Sequence, residues 1–253
     1  MPRPKAEATP HDEPRAVALA PDPPWRKPPR QPRAPITTEA IVAAALAVLD
    51  EVGLDGLSMR RVADKLSTGA ASLYWHVRNK DELFQLVFDA VMEELTLPPP
   101  DPAHWKQQLR DLAKRARSVM SQHRDVGRLS LGRAPGGKQS AVIGEWFFSL
   151  LSPLGIPDRA IAYLGDFFGL YVGAFLFEES IGVSSPTGED MRPEEVAKML
   201  REYIVTLPAE KFPHVIRAAD LLFSADRDDR WEFGVDLILR GLETYVQRGK
   251  RAR

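Results

Sequence analysis

The chain has 253 residues, of which 44% are hydrophobic and 27% are charged, and this composition is typical of a water-soluble globular protein. Its 34 Lys and Arg residues nearly balance its 35 Asp and Glu residues, so any site for a polyanion has to be local. The sequence contains no cysteine, which excludes a disulfide framework, a thiol nucleophile and cysteine-ligated metal centres.

The apolar segments and the N-terminus indicate where in the cell the protein is found. The longest apolar stretches are broken by charge well short of the roughly 20 residues that a membrane-spanning helix needs. The N-terminus carries Arg3 and Lys5, but prolines and charges follow them instead of an apolar segment, so no secretory signal is expected. We therefore expect a soluble, cytoplasmic protein.

Residues 1–35 contain eleven of the 22 prolines and almost no periodic apolar residues. Such a segment cannot bury enough surface to offset the entropy of ordering, so we predict a disordered arm rich in proline and arginine. Two interpretations remain open for it, a phosphate-seeking arm and a solubilising extension without a particular partner. The first rests on a basic cluster without acids: Arg26, Lys27, Arg30 and Arg33.

Four short helices are predicted in a small domain, residues 36–95, which a proline cluster at 97–102 closes. Each start is marked by a polar residue able to accept a hydrogen bond from the first helical turn. These starts are Thr37 or Thr38 for the first helix, which ends at Gly53, then Ser58, Thr68 for a helix through Tyr74, and Asn79 with Glu82 as in a capping box.

The remaining residues, 96–253, read as a larger domain of longer amphipathic or apolar helices separated by glycine and proline. No strand alternation appears, so the predicted fold class is all-α, with a small N-terminal helix-turn-helix domain and a C-terminal helical bundle. The predicted helices lie at about 103–123, 127–132, 138–152, 158–181, 192–206, 211–224 and 228–247.

The small domain has the layout of a helix-turn-helix DNA reader, because two short helices are joined by a tight turn and flanked by longer ones. Its basic residues lie together, and Asp64 is the single acid between positions 58 and 80. A helical hairpin with a solvated basic face fits the pattern as well. The basic residues are Arg60, Arg61, Lys65, Arg78 and Lys80.

Two runs in this domain carry a specific resemblance. The segments Gly53 to Ala63 and Ser72 to Leu83 resemble the N-terminal domain of the tetracycline-repressor (TetR) family. Weaker agreement with that family's regulatory domain continues at residues 132–139 and 173–179. The resemblance implies a homodimer that binds a pseudo-palindromic DNA operator and leaves it when a small molecule enters the C-terminal domain.

The resemblance also implies which residues contact DNA. Arg60 matches a groove-facing position, where its guanidinium fits guanine, and Lys80 matches a phosphate ligand. Leu73 and Trp75 are interpreted as packing residues, and Ser67 stands where many relatives have glycine in the turn. The predicted DNA-binding set is Ser58, Arg60, Thr68, Ala70, Ala71, Ser72, Tyr74, His76 and Lys80.

Aromatic residues crowd the large domain and favour an apolar effector site. Core packing or a dimer interface explains most of them equally well. The predicted effector-binding residues are Trp146, Asp166, Phe167 and Tyr171. The histidine and glutamate ligands of the family's metal-chelated drug correspond here to Ser130, Gly169 and Phe177, so we expect no metal-tetracycline effector, no metal site and no cofactor.

For dimerisation, the resemblance points to the helices predicted at 158–181 and 228–247. Gly165, Gly169 and Gly173 are spaced by four residues and would allow close approach of helices, although packing within the core explains them nearly as well. An apolar stripe on the last helix comprises Phe233, Leu237, Ile238, Leu242 and Tyr245.

Catalysis has no visible machinery, because no histidine pair has metal-ligand spacing and no phosphate-binding glycine loop follows a strand. We therefore predict a non-enzymatic, ligand-responsive transcriptional repressor. Two alternatives remain: a helical small-molecule-binding protein whose N-terminal domain contacts a protein partner, and an enzyme with a hidden helical active site.

Overall fold

The computed structural model describes residues 35–131, 136–181, 191–223 and 226–251. These residues form helices joined by turns, with no strand among them, and the all-α prediction is confirmed. The predicted arm lies outside the described residues except for Pro35. In chain order the helices are α1 Thr38–Gly56, α2 Met59–Lys65, α3 Ala70–Leu73, α4 Lys80–Glu93, α5 Trp105–Ser121, α6 Val126–Ser130, α7 Lys138–Leu151, α8 Asp158–Ile181, α9 Pro193–Val205, α10 Pro213–Arg217, α11 Ala219–Leu222 and α12 Arg227–Arg251.

Three of the four predicted N-caps are confirmed. The Thr37 hydroxyl accepts from the Ala40 amide at 3.2 Å, and the Ser58 hydroxyl accepts from the Arg61 amide at 3.3 Å. Asn79 caps α4 by accepting from the Glu82 amide at 2.8 Å. The reciprocal half of the capping box is absent there, because the Glu82 carboxylate accepts from the Arg78 amide instead of the amide of Asn79.

The predicted cap at Thr68 is wrong. Gly69 is the N-cap of α3, and no side chain accepts from its first turn. The helix is also shorter than predicted, because Tyr74 already belongs to a turn. The chain reaches α3 through Ser67, whose φ of 52° lies in the left-handed region that glycine favours.

The helices α1 to α4 enclose a small apolar core. The pattern of inward residues predicted for α1 is confirmed for Ile41, Ala45, Val48 and Leu49, which are buried. Gly53 interrupts α1 with a φ of 75°, so the predicted stop is present and one further turn follows it.

A second apolar region lies among α4, α5, α7, α8 and α12. Trp231 on α12 is buried against Phe175 on α8, with ring centroids 5.0 Å apart. The helix predicted at 211–224 is two short helices, α10 and α11, because Ala218 leaves the helical conformation between them.

Close packing joins α6 to α8. A Cβ atom on Gly127 would lie 2.7 Å from the backbone nitrogen of Phe177, so only glycine fits at this crossing. Gly173 faces the Ser130 hydroxyl in the same interface. For Gly173 this contact favours the second of the two predicted roles, packing within the chain.

By length and composition, Asp158–Ser180 of α8 could cross a membrane, with a mean hydropathy of 1.6. A core helix of a soluble protein meets the same criterion, and α8 packs against α5, α6 and α7. These contacts account for the buried part of α8, and several of its apolar side chains remain exposed.

Candidate DNA interface and effector cavity

The surface formed by α2, α3 and the turn after α3 carries the residues predicted to contact DNA. Val62, Leu73 and Val77 are fully buried beneath it, so the opposite faces of both helices point to solvent. Five of the nine predicted residues are exposed, namely Arg60, Ala71, Tyr74, His76 and Lys80. The other four, Ser58, Thr68, Ala70 and Ser72, are half-buried.

The basic residues of this surface divide into two groups. In the first, Arg61 donates to the Gly56 carbonyl at 3.0 Å, Lys65 pairs with Glu51, and Arg78 pairs with Glu82 at 3.2 Å. These contacts hold the three cations against α1 and α4.

The second group consists of Arg60 and Lys80. Neither lies within 4 Å of a carboxylate among the described residues; the Lys80 ammonium lies 4.9 Å from the centre of the Phe84 ring and contributes to the lowered pKa of Asp55 from a greater distance. A cation that is exposed and unpaired can neutralise a phosphate or address a base without first breaking an ion pair. The two cations that the sequence assigned to DNA are therefore the two that the fold leaves available.

The sequence analysis assigned Trp75 to packing, together with Leu73, and left it out of the DNA-binding set. Leu73 is indeed fully buried, but 89% of Trp75 is exposed in the turn after α3. The helix ends one residue before Tyr74, and this change of direction turns the indole outward. Its position beside Tyr74 and His76 places a large aromatic side chain on the same surface.

A cavity of about 530 Å³ lies between α4, α5, α7 and α8. Its volume is in the range of sites for drug-sized molecules. Four phenylalanines line it, Phe88, Phe147, Phe148 and Phe168. Gly144, Gly165 and Gly169 also line it, and a Cβ atom on any of them would meet no atom within 4 Å, so the glycines leave part of this space open.

Asp166 is the one predicted effector residue in the lining of this cavity. Trp146 is buried beside it, but its indole N–H donates to the Pro98 carbonyl at 2.6 Å. Tyr171 stacks on Trp231 and donates its hydroxyl to the Trp231 carbonyl at 3.0 Å, and burial raises the pKa of this phenol. Phe167 points outward from α8 with 56% of its surface exposed.

Several lining residues escaped the sequence analysis because they lie on α4 and α5. Their helical spacing predicts core positions, and a pattern of apolar residues does not distinguish a filled core from a cavity wall. These residues include Gln85, Phe88 and Met92 on α4, and Leu112, Ala116 and Met120 on α5. The helix α4 therefore packs against α1 and also lines the cavity.

The positions that correspond to the metal-drug ligands of the family offer no metal ligation. Ser130 and Gly169 line the cavity, and Phe177 is a half-buried residue of α8 beside Gly127. Within the described ranges, no cluster of three histidine or carboxylate side chains is placed to hold a metal ion.

Polar contacts join α1 to α6 and to the turn before it. Asp125 accepts from the Leu54 amide at 2.8 Å, directly after the left-handed Gly53. Arg128 forms two hydrogen bonds of 2.8 Å with the Asp55 carboxylate, and they hold the pKa of Asp55 below its ordinary value.

In the same turn, His123 bridges α1 and the end of α4. Its ring nitrogens lie 3.2 Å from Asp50 on α1 and 3.2 Å from Glu94 at the end of α4. The turn before α6 is thus attached to both α1 and α4.

The outer faces of α8 and α12 expose large apolar side chains. Their spacing of three, four or eight residues places those of each helix on one face, and an exposed apolar face of this kind marks a candidate interaction site. The residues are Tyr163, Phe167, Leu170, Phe233, Leu237 and Tyr245. Of the stripe predicted on α12, Ile238 and Leu242 are buried and pack within the chain.

Comparison with protein families gives two matches. Residues 41–87 match the family described as bacterial regulatory proteins, tetR family. Residues 97–246 match the tetracyclin repressor-like C-terminal domain, which accounts for more than half of the chain.

Individual relatives agree with these matches. The chain is 31% identical over 185 residues to an HTH-type transcriptional regulator of Saccharopolyspora erythraea, which covers 70% of the chain and 78% of the relative. It is 29% identical over 239 residues to the HTH-type transcriptional repressor DrrR1 of Streptomyces coeruleorubidus, over 90% of the chain and 85% of the relative.

Among solved structures, apo ActR of Streptomyces coelicolor has a TM-score of 0.77 and 38% identity to this chain, covering 86% of the chain and 99% of ActR. ActR has also been solved in complex with actinorhodin, with a TM-score of 0.74 and 40% identity over 83% of the chain and 96% of ActR.

Proposed function

Because the chain belongs to the TetR family of bacterial regulatory proteins, it is a ligand-responsive transcriptional regulator, and we propose that the surface of α2 and α3 reads its operator while the 530 Å³ cavity holds its effector. Residues 36–95 form the DNA-binding domain in this proposal, and residues 96–253 form the regulatory and dimerisation domain. The protein acts in the cytoplasm and catalyses no reaction.

The availability of Arg60 and Lys80 is the observation that carries the DNA-binding assignment. Arg60 addresses a base or phosphate from the start of α2, and Lys80 binds phosphate at the start of α4, where the helix amides add to its attraction. Ala70, Ala71 and Ser72 approach the bases, so direct readout is limited to small side chains and DNA shape contributes to specificity. Ser58, Thr68, Tyr74 and His76 complete the contact surface, and Trp75 joins it.

A homodimer presents two such surfaces to one operator. Pairing of the exposed apolar faces of α8 and α12 with their copies buries Tyr163, Phe167 and Phe233, which otherwise remain in water. Two α3 helices about one DNA turn apart, roughly 34–36 Å, then enter successive major grooves of a pseudo-palindromic site.

Effector binding is coupled to DNA through α4 and α6. Gln85, Phe88 and Met92 of α4 line the cavity, and Lys80 lies at the start of the same helix. At the end of α6, Ser130 and Leu131 line the cavity, whereas Asp125 at its start is bonded to α1. An effector that prefers another position of these helices weakens DNA binding by the same factor by which DNA weakens effector binding.

The complexes of ActR with (S)-DNPA and with actinorhodin support a small organic effector for this chain. The apolar lining of the cavity favours a ring-bearing molecule, and the missing metal-ligand set among the described residues argues against a metal-chelated drug.

The test begins with duplexes that the purified protein selects from a random pool. Fluorescence anisotropy then gives the affinity for the selected duplex and for an unrelated duplex across a salt series. Lys80→Ala is expected to weaken both duplexes alike and to lower the salt slope by about 1.8, because each of the two subunits loses one phosphate contact worth about 0.9. Arg60→Ala is expected to cost about 1–3 kcal/mol for each half-site of the selected duplex and less on the unrelated one.

Lys211→Ala is the matched control, since Lys211 is exposed and remote from α2 and α3 in sequence. It should leave both affinities unchanged. If the wild-type protein binds no duplex at low salt, the operator proposal fails and the alternative of a helical ligand-binding protein with a protein partner is favoured.

A further inference from the structure

The described lining of the cavity carries a single charged side chain. Most of its lining is aliphatic or aromatic, and the polar side chains are Gln85, Ser130, Ser140 and Asp166. Among the described lining residues, Asp166 is the only ionisable group, and no Lys, Arg or His accompanies it. A ligand bound here meets one negative charge and, from the described side chains, no positive one.

Asp166 has no hydrogen-bond or ion-pair partner among the described residues. Several cations of α8 and α12 have partners of their own. Arg240 pairs with Asp236 at 2.6 Å, and Arg230 pairs with Glu178 at 2.8 Å. Arg159 lies over the ring of Tyr163, 5.3 Å from its centre. The fold thus leaves this carboxylate to solvent and to whatever enters the cavity.

Asp166 is exposed and lies on α8 between the exposed Phe167 and the cavity residue Gly165, so its carboxylate borders both the cavity and solvent. A ligand that fills the cavity removes part of the water around this carboxylate. A carboxylate that loses water without gaining a cation or a hydrogen-bond donor opposes binding. The favourable ligand is one that brings the missing positive charge.

We propose that the effector is an apolar, ring-bearing molecule with a protonated amine, and that Asp166 binds this amine. The inference rests on the proposed effector role of the cavity and adds the chemical class of the ligand. The four phenylalanines pack on the rings, and the open space beside Gly144, Gly165 and Gly169 accommodates their width. The Gln85 amide donates to Asp89 at 3.3 Å and the Ser130 hydroxyl donates to the Gly127 carbonyl at 2.7 Å, so the oxygens of both side chains remain able to accept from a ligand.

Three fluorescent probes with one ring system separate charge from shape. They are 1-pyrenemethylamine, which is a cation at neutral pH, 1-pyrenemethanol, which is neutral, and 1-pyrenecarboxylic acid, which is an anion. Binding to the full-length protein is measured by pyrene fluorescence and calorimetry at low and at high salt. The amine is expected to bind about tenfold more tightly than the alcohol, and the acid is expected to bind weakest.

Asp166→Asn removes the charge and keeps the size of the side chain. In this variant the preference of the amine over the alcohol is expected to disappear, while the affinity for the alcohol stays within about twofold. Asp158→Asn is the matched control, because Asp158 is an exposed carboxylate of the same helix outside the cavity lining. This control should keep the tenfold preference.

Release of the selected duplex is measured with the same probes, so the preference for an amine and the effector role of the cavity are tested separately. If the alcohol, amine and acid bind equally well and all release DNA, the amine proposal is overturned and the effector role of the cavity stands. An amine preference that persists in Asp166→Asn also overturns it. If no probe binds the wild-type protein, the amine proposal is overturned, while DNA binding is judged by the Arg60 and Lys80 variants alone.

Discussion

The two sides of α6 are built in opposite ways. Toward α8, Gly127 lies against the backbone of Phe177, and Leu129 is fully buried, so contact is close and apolar. Toward α1, the contacts are hydrogen bonds and ion pairs made by Asp125 and Arg128. Close packing fixes one position of α6 on α8, because any displacement leaves voids or overlaps.

The polar side includes one exposed ion pair, Arg128 with Asp55, and water can replace each partner of such a pair at little net cost. The hydrogen bond from the Leu54 amide to Asp125 is partly buried and costs more to break. Because Ser130 and Leu131 at the end of α6 line the cavity, we expect a change there to be taken up more easily at the Arg128 contact with α1 than at the packed contact with α8.

Gly127→Ala is the sharpest test of the apolar side. The new Cβ would lie 2.7 Å from the Phe177 nitrogen and 2.8 Å from the Leu176 Cβ, so α6 and α8 have to separate. Overpacking of this kind costs about 1–3 kcal/mol of unfolding free energy. Urea denaturation followed by circular dichroism measures the loss. A variant as stable as the wild type would show that the interface yields easily.

Asp125→Ala tests the polar side. It removes the acceptor of the partly buried Leu54 amide and places alanine at a φ of 59°, which Asp and Asn tolerate better. The expected loss is about 1–2 kcal/mol in urea denaturation. DNA affinity is also expected to fall. Without this hydrogen bond α1 is held less firmly against the turn before α6, so the distance between the two α3 helices of the dimer varies more.

Asp125→Asn is the matched variant, since it keeps an oxygen acceptor and suits the left-handed backbone. It should recover more than half of the stability that the alanine variant loses, and it should keep most of the DNA affinity. An alanine variant with unchanged DNA affinity and an asparagine variant as unstable as alanine would contradict a coupling role for this contact.

The same contrast explains what the sequence could predict. Helix starts such as Thr37, Ser58 and Asn79, and the exposed cations Arg60 and Lys80, follow from local patterns and from resemblance, because their side chains act within one turn or point away from the core. The fold class and most helix positions follow from the same periodicity.

The cavity could not be predicted in this way. Trp146, Phe167 and Tyr171 share the aromatic character of the lining, yet packing directs them to a carbonyl, to the outer face of α8 and to Trp231. Which aromatic residue faces an empty space depends on how the helices cross. The crossing of α6 and α8 in turn depends on Gly127, which carries no local signal of its partner.

Gly144→Ala is the counterpart of the Gly127 variant on the cavity wall. No atom lies within 4 Å of the added Cβ, so the substitution meets no neighbour within the chain. Alanine is the better helix former, and a gain of about 0.5–1 kcal/mol is expected in urea denaturation. The opposite signs of the two glycine variants distinguish open from packed surface. A loss at Gly144 would mean that the cavity wall is closed in solution.

The smallest expected effect is a pH dependence of stability, which we expect on the polar side of α6 and not on its apolar side. The hydrogen bonds from Arg128 lower the pKa of Asp55, so this carboxylate stabilises the fold at pH values above the ordinary aspartate pKa of about 4. The contribution is lost as the pH falls through the lowered folded-state pKa, because the protonated group no longer pairs with Arg128. We therefore expect the stability difference between wild type and Asp55→Asn to shrink as the pH falls below about 4.

The difference between wild type and Gly127→Ala should not change with pH, because no titrating group takes part in that contact. A constant difference for Asp55→Asn across the same pH series would remove the ion pair from the polar side of α6.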